Sequence, residues 1–174
     1  ENSACQLVEI DMVRLADGEQ KKYNEENKEY GLVILGGKCS VTGDGFEFNN
    51  IGKRADVFDG PATCVYIPRN KEFTIKAEGE VSIAVTKSPA KADHKPVLIN
   101  PEDVKIKDMG KPGWERQAHF ILDERVEADI IYNGETVGEI ENGGTVNNAK
   151  GTVYFVSTSI GRPEEAEDEE EVVY

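Results

Sequence analysis

Short strand-like segments separated by turn residues fill the first half of the chain, and this pattern constrains the fold more than any other feature. Residues 30–35 are continuously apolar and stop at Gly36-Gly37, as a buried strand does. Residues 63–67 form a second such run, which Pro68 ends. Turn signals recur about every eight to twelve residues, and no segment has helical periodicity. The pattern predicts an all-β antiparallel sandwich or barrel.

Charge and hydropathy exclude several classes of protein. Lys plus Arg is 20 and Asp plus Glu is 34, so the net charge is −14. An acidic chain repels phosphate backbones and anionic lipids, so we expect neither a nucleic-acid nor a membrane partner. No export signal is recognisable, which favours the cytoplasm. Cys5, Cys39 and Cys64 form no CxxC pair, and we expect small buried residues in a reducing compartment.

The turn and linker signals divide the chain into three parts. Residues 1–88 are predicted to form one barrel, residues 89–115 a linker, and residues 116–174 the start of a second unit with an acidic tail. Residues 97–99 are interpreted as the start of new structure. Seven of the eight residues 164–171 are acidic, which is typical of a solvated segment.

Two segments resemble the sequence motifs of cupins, which are small jelly-roll barrels. The first motif, G-x5-H-x-H-x3,4-E-x6-G, is matched at its end by Glu29, six residues and Gly36. Its two histidines should fall near residues 22–25, where the sequence is Lys-Tyr-Asn-Glu. The second motif, G-x5-P-x-G-x2-H, is matched at Pro68, but Phe73 replaces the histidine. The resemblance implies the barrel scaffold without its metal ligands.

A closer resemblance covers roughly residues 4–148. The stretch 46–90, the segment INPEDV at 99–104 and the segment RQAHFIL at 116–122 resemble the amino-terminal cupin of the 5-deoxyglucuronate isomerases of inositol catabolism. The 5-keto-4-deoxyuronate isomerases are related more distantly. The resemblance implies a double-cupin isomerase whose first barrel has no metal and whose second holds a divalent ion, usually zinc. The implied reaction interconverts an open-chain aldose sugar acid and its keto isomer.

The chain contains only two histidines, His94 and His119. The family's metal site takes three imidazoles and one carboxylate, so one such chain cannot supply it. We therefore assign no metal site, no cofactor and no catalytic residue to this chain. A fragment, a shortened paralogue and a partner that supplies the ligands all remain open.

Arg116 and His119 are the candidate substrate-binding residues. They match an Arg…His element of the family, where the guanidinium could hold a sugar-acid carboxylate and the imidazole could donate a hydrogen bond. The alternative is that both brace the connection between barrels by hydrogen bonds.

Four further features have a plainer interpretation. Glu29, without a histidine pair, is expected at the surface or on an edge strand, and His94 is expected to be exposed. Arg54 and Asp56 are expected to be oppositely charged neighbours on a solvent-exposed sheet. Trp114 is expected to anchor a loop or an oligomer interface, with sugar stacking as the alternative.

The function that follows from the resemblance is a sugar-acid aldose–ketose isomerase of the 5-deoxyglucuronate type, catalytically incomplete as this chain. The alternative is a metal-free cupin that binds a sugar acid or assembles oligomers. An open second barrel would leave unpaired strand edges, so we expect a homo-oligomer.

Overall fold

The computed structural model describes residues 9–111, 116–122 and 126 of the 174-residue chain. The strands within these residues are β1 (Glu9–Leu15), β2 (Gln20–Tyr23), β3 (Lys28–Gly36), β4 (Cys39–Gly43), β5 (Phe46–Ile51), β6 (Thr63–Ile67), β7 (Phe73–Ala77), β8 (Val81–Pro89), β9 (Val97–Ile99), β10 (Lys105–Met109) and β11 (Arg116–Phe120). A single 3-10 turn, Pro101–Asp103, lies between β9 and β10. The described chain has no helix long and apolar enough to cross a membrane.

The first nine strands form two antiparallel sheets. The five-stranded sheet has the order β1-β8-β3-β6-β9, and the four-stranded sheet has the order β2-β7-β4-β5. Strands β10 and β11 pair as a separate hairpin. Residues 44–45 join β4 to β5 in a tight hairpin, with Gly43 paired to Phe46. The all-β antiparallel prediction is confirmed, and the polar segment after Gly18 supplies an edge strand, β2.

The space between the sheets is a dry core built by the two-residue alternation of the strands. Tyr30, Leu32 and Ile34 of β3 enter it from the central strand of the larger sheet. The buried members from the other strands are Val13, Leu15, Tyr23, Cys39, Val41, Ile51, Val65, Ile67, Phe73, Ile75, Ala77, Val81, Ile83 and Val85. Each sheet therefore buries most of one face against the other, which is the main source of apolar burial in the fold.

The larger sheet is also covered on its outer face. Val33, Cys64 and Tyr66 point away from the inter-sheet core and pack with Ile121 and Leu122. A strand buried on both faces needs apolar residues at odd and even positions, which is why β3 has a continuous apolar run. Only the part of the sheet near β1 has exposed apolar side chains, Ile10 and Met12, among the described residues.

One connection differs from the sequence interpretation. Residues 97–99 were expected to start new structure, but they form β9 and pair with Cys64–Tyr66 of β6. They therefore extend the first sheet by one edge strand. The division into units at residues 88 and 115 stays a prediction.

The corner after β3 depends on glycine. β3 ends at Gly36, as predicted, and Gly37 adopts a left-handed φ of +88°. A Cβ on Gly37 would lie 2.1 Å from the carbonyl oxygen of Glu80, which is backbone and cannot rotate away. Gly18 also has a positive φ, +75°, but has open space around it.

We therefore expect Gly37→Ala to destabilise the fold more than Gly18→Ala. Both substitutions incur about 1–2 kcal/mol of left-handed backbone strain, and the contact with Glu80 should add about 1–3 kcal/mol at Gly37 alone. Urea unfolding of the two variants measures the difference. Equal losses would show that the corner can move to admit a side chain.

Candidate functional site

Three aromatic rings fill one end of the barrel interior. Tyr23 ends β2 and is paired in register with Phe73, which begins β7. Their ring centroids are 5.0 Å apart and nearly parallel, and Tyr30 meets the Phe73 ring edge-on, also at 5.0 Å. All three side chains are buried. Tyr23 lies in the stretch where the cupin pattern places its histidine pair, and Phe73 at the position of its last histidine.

Glu29 does not point into this interior, and the expectation that it lies at the surface or on an edge is wrong. It lies on the central strand β3 and is fully buried, with 0% of its surface exposed. Because side chains alternate along a strand, Tyr30 enters the barrel and Glu29 faces the outer side of the sheet. There the Tyr66 hydroxyl donates a 2.7 Å hydrogen bond to Glu29 Oε2.

The side chains of the interior do not suit a metal ion. Among the described residues no three His, Cys, Asp or Glu side chains group as a ligand set. The Cys39 thiol is the only potential ligand among the interior core residues, and burial raises its pKa to about 12, far from the thiolate that binds metals. Cys64 is likewise a free, buried cysteine, and burial raises its pKa to about 12. Both behave as the small buried residues predicted, while Cys5 lies outside the described residues.

Four charged side chains form an ion-pair network beside the aromatic rings. Lys28 Nζ lies 2.6 Å from Glu9 Oε1 and 2.7 Å from Glu25 Oε2. Lys87 pairs with Glu25 and lies over the Tyr23 and Tyr30 rings, 5.6 and 5.7 Å from their centroids. Hydrogen bonds from Lys28 and Lys87 lower the pKa of Glu25 to about 2. The network holds the β2–β3 loop against β8.

Burial also raises the pKa of the Tyr30 hydroxyl. The nearby Glu25 carboxylate adds to this effect, although no hydrogen bond of ordinary geometry reaches the hydroxyl from the described residues. The hydroxyl of Tyr23 is buried in the same unpartnered way. A buried hydroxyl without a well-formed hydrogen bond costs free energy in a core.

A polar groove of about 530 Å³ lies at this rim of the barrel. Its walls are two short loops, residues 24–27 and 70–72. The Asn27 backbone N–H donates to Asn70 Oδ1 at 3.0 Å, and both asparagines have a left-handed φ near 60°. Three glutamates and one lysine line the groove, which favours neutral or cationic groups over a second carboxylate.

The predicted substrate-binding residues lie elsewhere, on β11. His119 is opposite Ile106 of β10 and only 6% exposed, and Arg116 is opposite Met109. His119 Nε2 lies 3.4 Å from Gln117 Oε1. Burial, and then the positive charge of Arg54, lower the pKa of His119, so the imidazole is neutral at pH 7. His119 does not line the rim groove, and the side chain of Arg116 lies outside the described part of the structure. Their role in substrate binding stays a prediction.

Arg54 was missed by sequence reasoning. It was expected on a solvated surface beside Asp56, but it is 4% exposed and donates to two backbone carbonyls, Ile34 O at 3.1 Å and Gly60 O at 3.0 Å. An acidic neighbour two positions away is a frequent surface pattern, and the sequence contains no signal that the loop folds over this side chain.

Two other expectations concern single residues. His94 was expected to be exposed but is half-buried, and its Nε2 is buried without a hydrogen bond from the described chain. Trp114 lies outside the described residues, so its role as an anchor stays a prediction.

Two antiparallel sheets in this order, closed around an apolar core, define the cupin type of jelly-roll barrel. The chain belongs to the KduI/IolB family, whose sequence model matches residues 1–145. Both the predicted fold class and the predicted family are thereby confirmed.

Named relatives agree with this assignment. The chain is 32% identical over 132 residues to a 5-deoxy-glucuronate isomerase of Geobacillus kaustophilus, covering 75% of this chain and 48% of that protein. It is 36% identical over 124 residues to the 5-deoxy-glucuronate isomerase of Bacillus subtilis strain 168, covering 70% and 45%. The crystal structure of an IolB-like protein from Salmonella typhimurium LT2 matches with a TM-score of 0.68 at 31% identity, covering 71% and 47%. The chain spans about half the length of the curated relatives it matches.

The hydrogen bond between Tyr66 and Glu29 can be tested by comparing Tyr66 with Tyr30, a buried tyrosine of the barrel interior. Tyr66→Phe should lower the free energy of unfolding by about 1–3 kcal/mol, because the buried Glu29 carboxyl loses a hydrogen bond. Tyr30→Phe removes a hydroxyl of equal burial without such a bond and should be neutral or stabilising. Chemical denaturation compares them, and equal losses from both variants would contradict the assignment.

The ion-pair network should produce a specific acid dependence. The folded pKa of Glu25, about 2, lies below its ordinary value of 4.5, so its contribution is present above pH 4.5 and disappears as the pH falls toward 2. Glu25→Gln should therefore cost about 1 kcal/mol at neutral pH, since the carboxylate is partly exposed, and almost nothing near pH 2. Urea unfolding at a series of pH values gives this difference. Glu26→Gln, in the same loop, is the matched control, and a pH-independent loss in Glu25→Gln would refute the charge assignment.

Proposed function

We propose that this chain is the metal-free barrel of a sugar-acid aldose–ketose isomerase of the 5-deoxyglucuronate type. The observation that carries the proposal is the aromatic filling of the barrel interior by Tyr23, Tyr30 and Phe73, in a chain that belongs to the KduI/IolB family. Aromatic rings at two motif positions leave no ligand set there. The divalent ion would then be held by sequence corresponding to the half of the relatives that this chain does not span.

In such an isomerase the chemistry would be divided between this barrel and the part of the relatives that the chain does not span. Aldose–ketose interconversion moves a proton between adjacent carbons, and a divalent ion would polarise the oxygens on them. In this proposal no step at a metal falls to the described barrel. Its contribution is a rigid scaffold, together with the predicted substrate contacts at Arg116 and His119. A neutral His119 could donate one hydrogen bond to a sugar hydroxyl, while Arg116 could hold the carboxylate. The setting we propose is inositol catabolism in the cytoplasm.

A second candidate function is a binding or assembly module without catalysis. Edge strand β1 favours this alternative, because Ile10 is 72% exposed and Met12 54% exposed on the uncovered part of the larger sheet. Within the described part of the chain β1 is an edge strand, and a strand edge beside exposed apolar side chains promotes association. A homo-oligomer is compatible with both candidate functions.

The metal content of the purified chain tests whether the barrel is metal-free, and its turnover tests whether the barrel is inactive on its own. We expect far less than one tightly bound divalent ion per chain by mass spectrometry and no turnover of 5-deoxyglucuronate. The full-length Bacillus subtilis relative, assayed in parallel, is the positive control.

Two results would count against the proposal. About one tightly held ion per chain would require ligands that the barrel interior lacks, and turnover by this chain alone would show that the described barrel is not merely a scaffold. A monodisperse monomer in light scattering would count against the assembly alternative.

A further inference from the structure

Arg54 is a buried cation whose hydrogen bonds are incomplete. Its Nε and Nη1 donate to the backbone carbonyls of Ile34 and Gly60, but Nη2 is buried and has no partner among the described residues. A guanidinium that is 4% exposed has lost its hydration, and neutral carbonyls do not balance its charge. The two N–H groups of Nη2 are therefore available to an anion.

The nearby acidic side chains are already engaged. Asp56 Oδ1 accepts the backbone N–H of Phe58 at 2.8 Å, and Asp59 Oδ2 accepts that of Ala55 at 3.0 Å. Their charges act on Arg54 only at a distance, and no described carboxylate forms an ion pair with its guanidinium. The two aspartates instead organise the loop 55–60 into a compact turn over Arg54.

Sequence neighbours of Arg54's partners and of His119 meet in the outer apolar cluster of the larger sheet, which brings the two side chains toward each other. The two carbonyls that Arg54 binds belong to Ile34 and Gly60, close in sequence to Leu35 and Ala62. Leu35 and Ala62 pack in the outer apolar cluster, which also includes Ile121, two positions after His119. The charge of Arg54 accordingly acts on the imidazole. This region therefore contains the Arg54 guanidinium, whose Nη2 has no partner among the described residues, and the neutral imidazole of His119.

We propose that Arg54 Nη2 is the centre of a carboxylate-binding site on the outer face of the barrel, with His119 at its side. A carboxylate would complete the guanidinium fork by a charge-assisted hydrogen bond. The ligand enters by displacement of the loop 55–60, which belongs to neither sheet and has Phe58 exposed at its tip. The inference takes from the proposed function only the choice of a sugar acid as probe, and its readout is binding.

The experiment uses the imidazole signals of the chain in NMR. Only two histidines occur, and His94→Gln assigns the second signal to His119. Wild-type protein is titrated with D-glucuronate, with D-glucose, which has the same ring without the carboxylate, and with acetate, which is a carboxylate without the ring. We expect D-glucuronate to move the His119 signal saturably and D-glucose to leave it unchanged.

The acetate titration distinguishes a sugar acid from any other carboxylate. Weaker binding of acetate than of D-glucuronate assigns the site to sugar acids, whereas equal binding assigns it to carboxylates in general, including those of protein side chains. Arg54→Gln should weaken D-glucuronate binding by about tenfold or more. Lys53→Gln, which removes the adjacent exposed cation, is the matched control and should bind as wild type does.

The proposal is overturned if neither acid moves the His119 signal, or if D-glucose moves it equally. The wild-type titrations decide this even if Arg54→Gln fails to fold. If they fail, the proposed isomerase function is unaffected, because it is tested by the metal content and turnover of the chain and not by ligand binding at Arg54. Conversely, a tightly bound ion or turnover by this chain would contradict the proposed function and leave the binding result intact.

Discussion

The burial of β3 on both faces is the constraint on which the rest of the structure depends. As the central strand of the larger sheet, β3 sends alternate side chains into two different environments. One set, beginning with Tyr30, builds the dry space between the sheets. The other set, beginning with Glu29, meets the segment that follows β11. A shift of one residue in register would exchange the two sets and bury a carboxyl in the barrel.

The alternation also explains why the barrel is recognisable although no metal-ligand set groups among the described residues. The cupin motifs place histidines in the stretch that includes Tyr23 of β2 and at the position of Phe73 of β7. Here aromatic rings occupy both places, and together with Tyr30 of β3 they contact one another at centroid distances of 5.0–5.6 Å, an arrangement worth more than apolar burial alone. Such an aromatic core stabilises the barrel without a metal ion.

Local pattern predicted the strands well because each strand is a short apolar or alternating run between turns. The end of β3 at Gly36 and the bounds of β6 were readable from glycine and proline alone. Errors arose where burial depends on a second layer. Glu29 was misplaced because its exposure depends on what covers the outer face of the sheet. Arg54 was misplaced because its burial depends on a loop folding back over it. The apolar triplet at 97–99 has no local signal that distinguishes an added edge strand from the start of a new unit.

The polar groups of this molecule are distributed unequally between the two faces of the larger sheet, and the inequality bears on function. The inner face meets an apolar core, while the outer face carries the Glu29–Tyr66 hydrogen bond, with Arg54 and His119 buried at its margin. Burying such groups costs free energy unless each finds a partner. A fold that needed only a scaffold would be more stable with apolar residues at these positions. Their concentration on the side that packs against Ile121 and Leu122 means that, among the described residues, the buried charged groups lie outside the barrel interior.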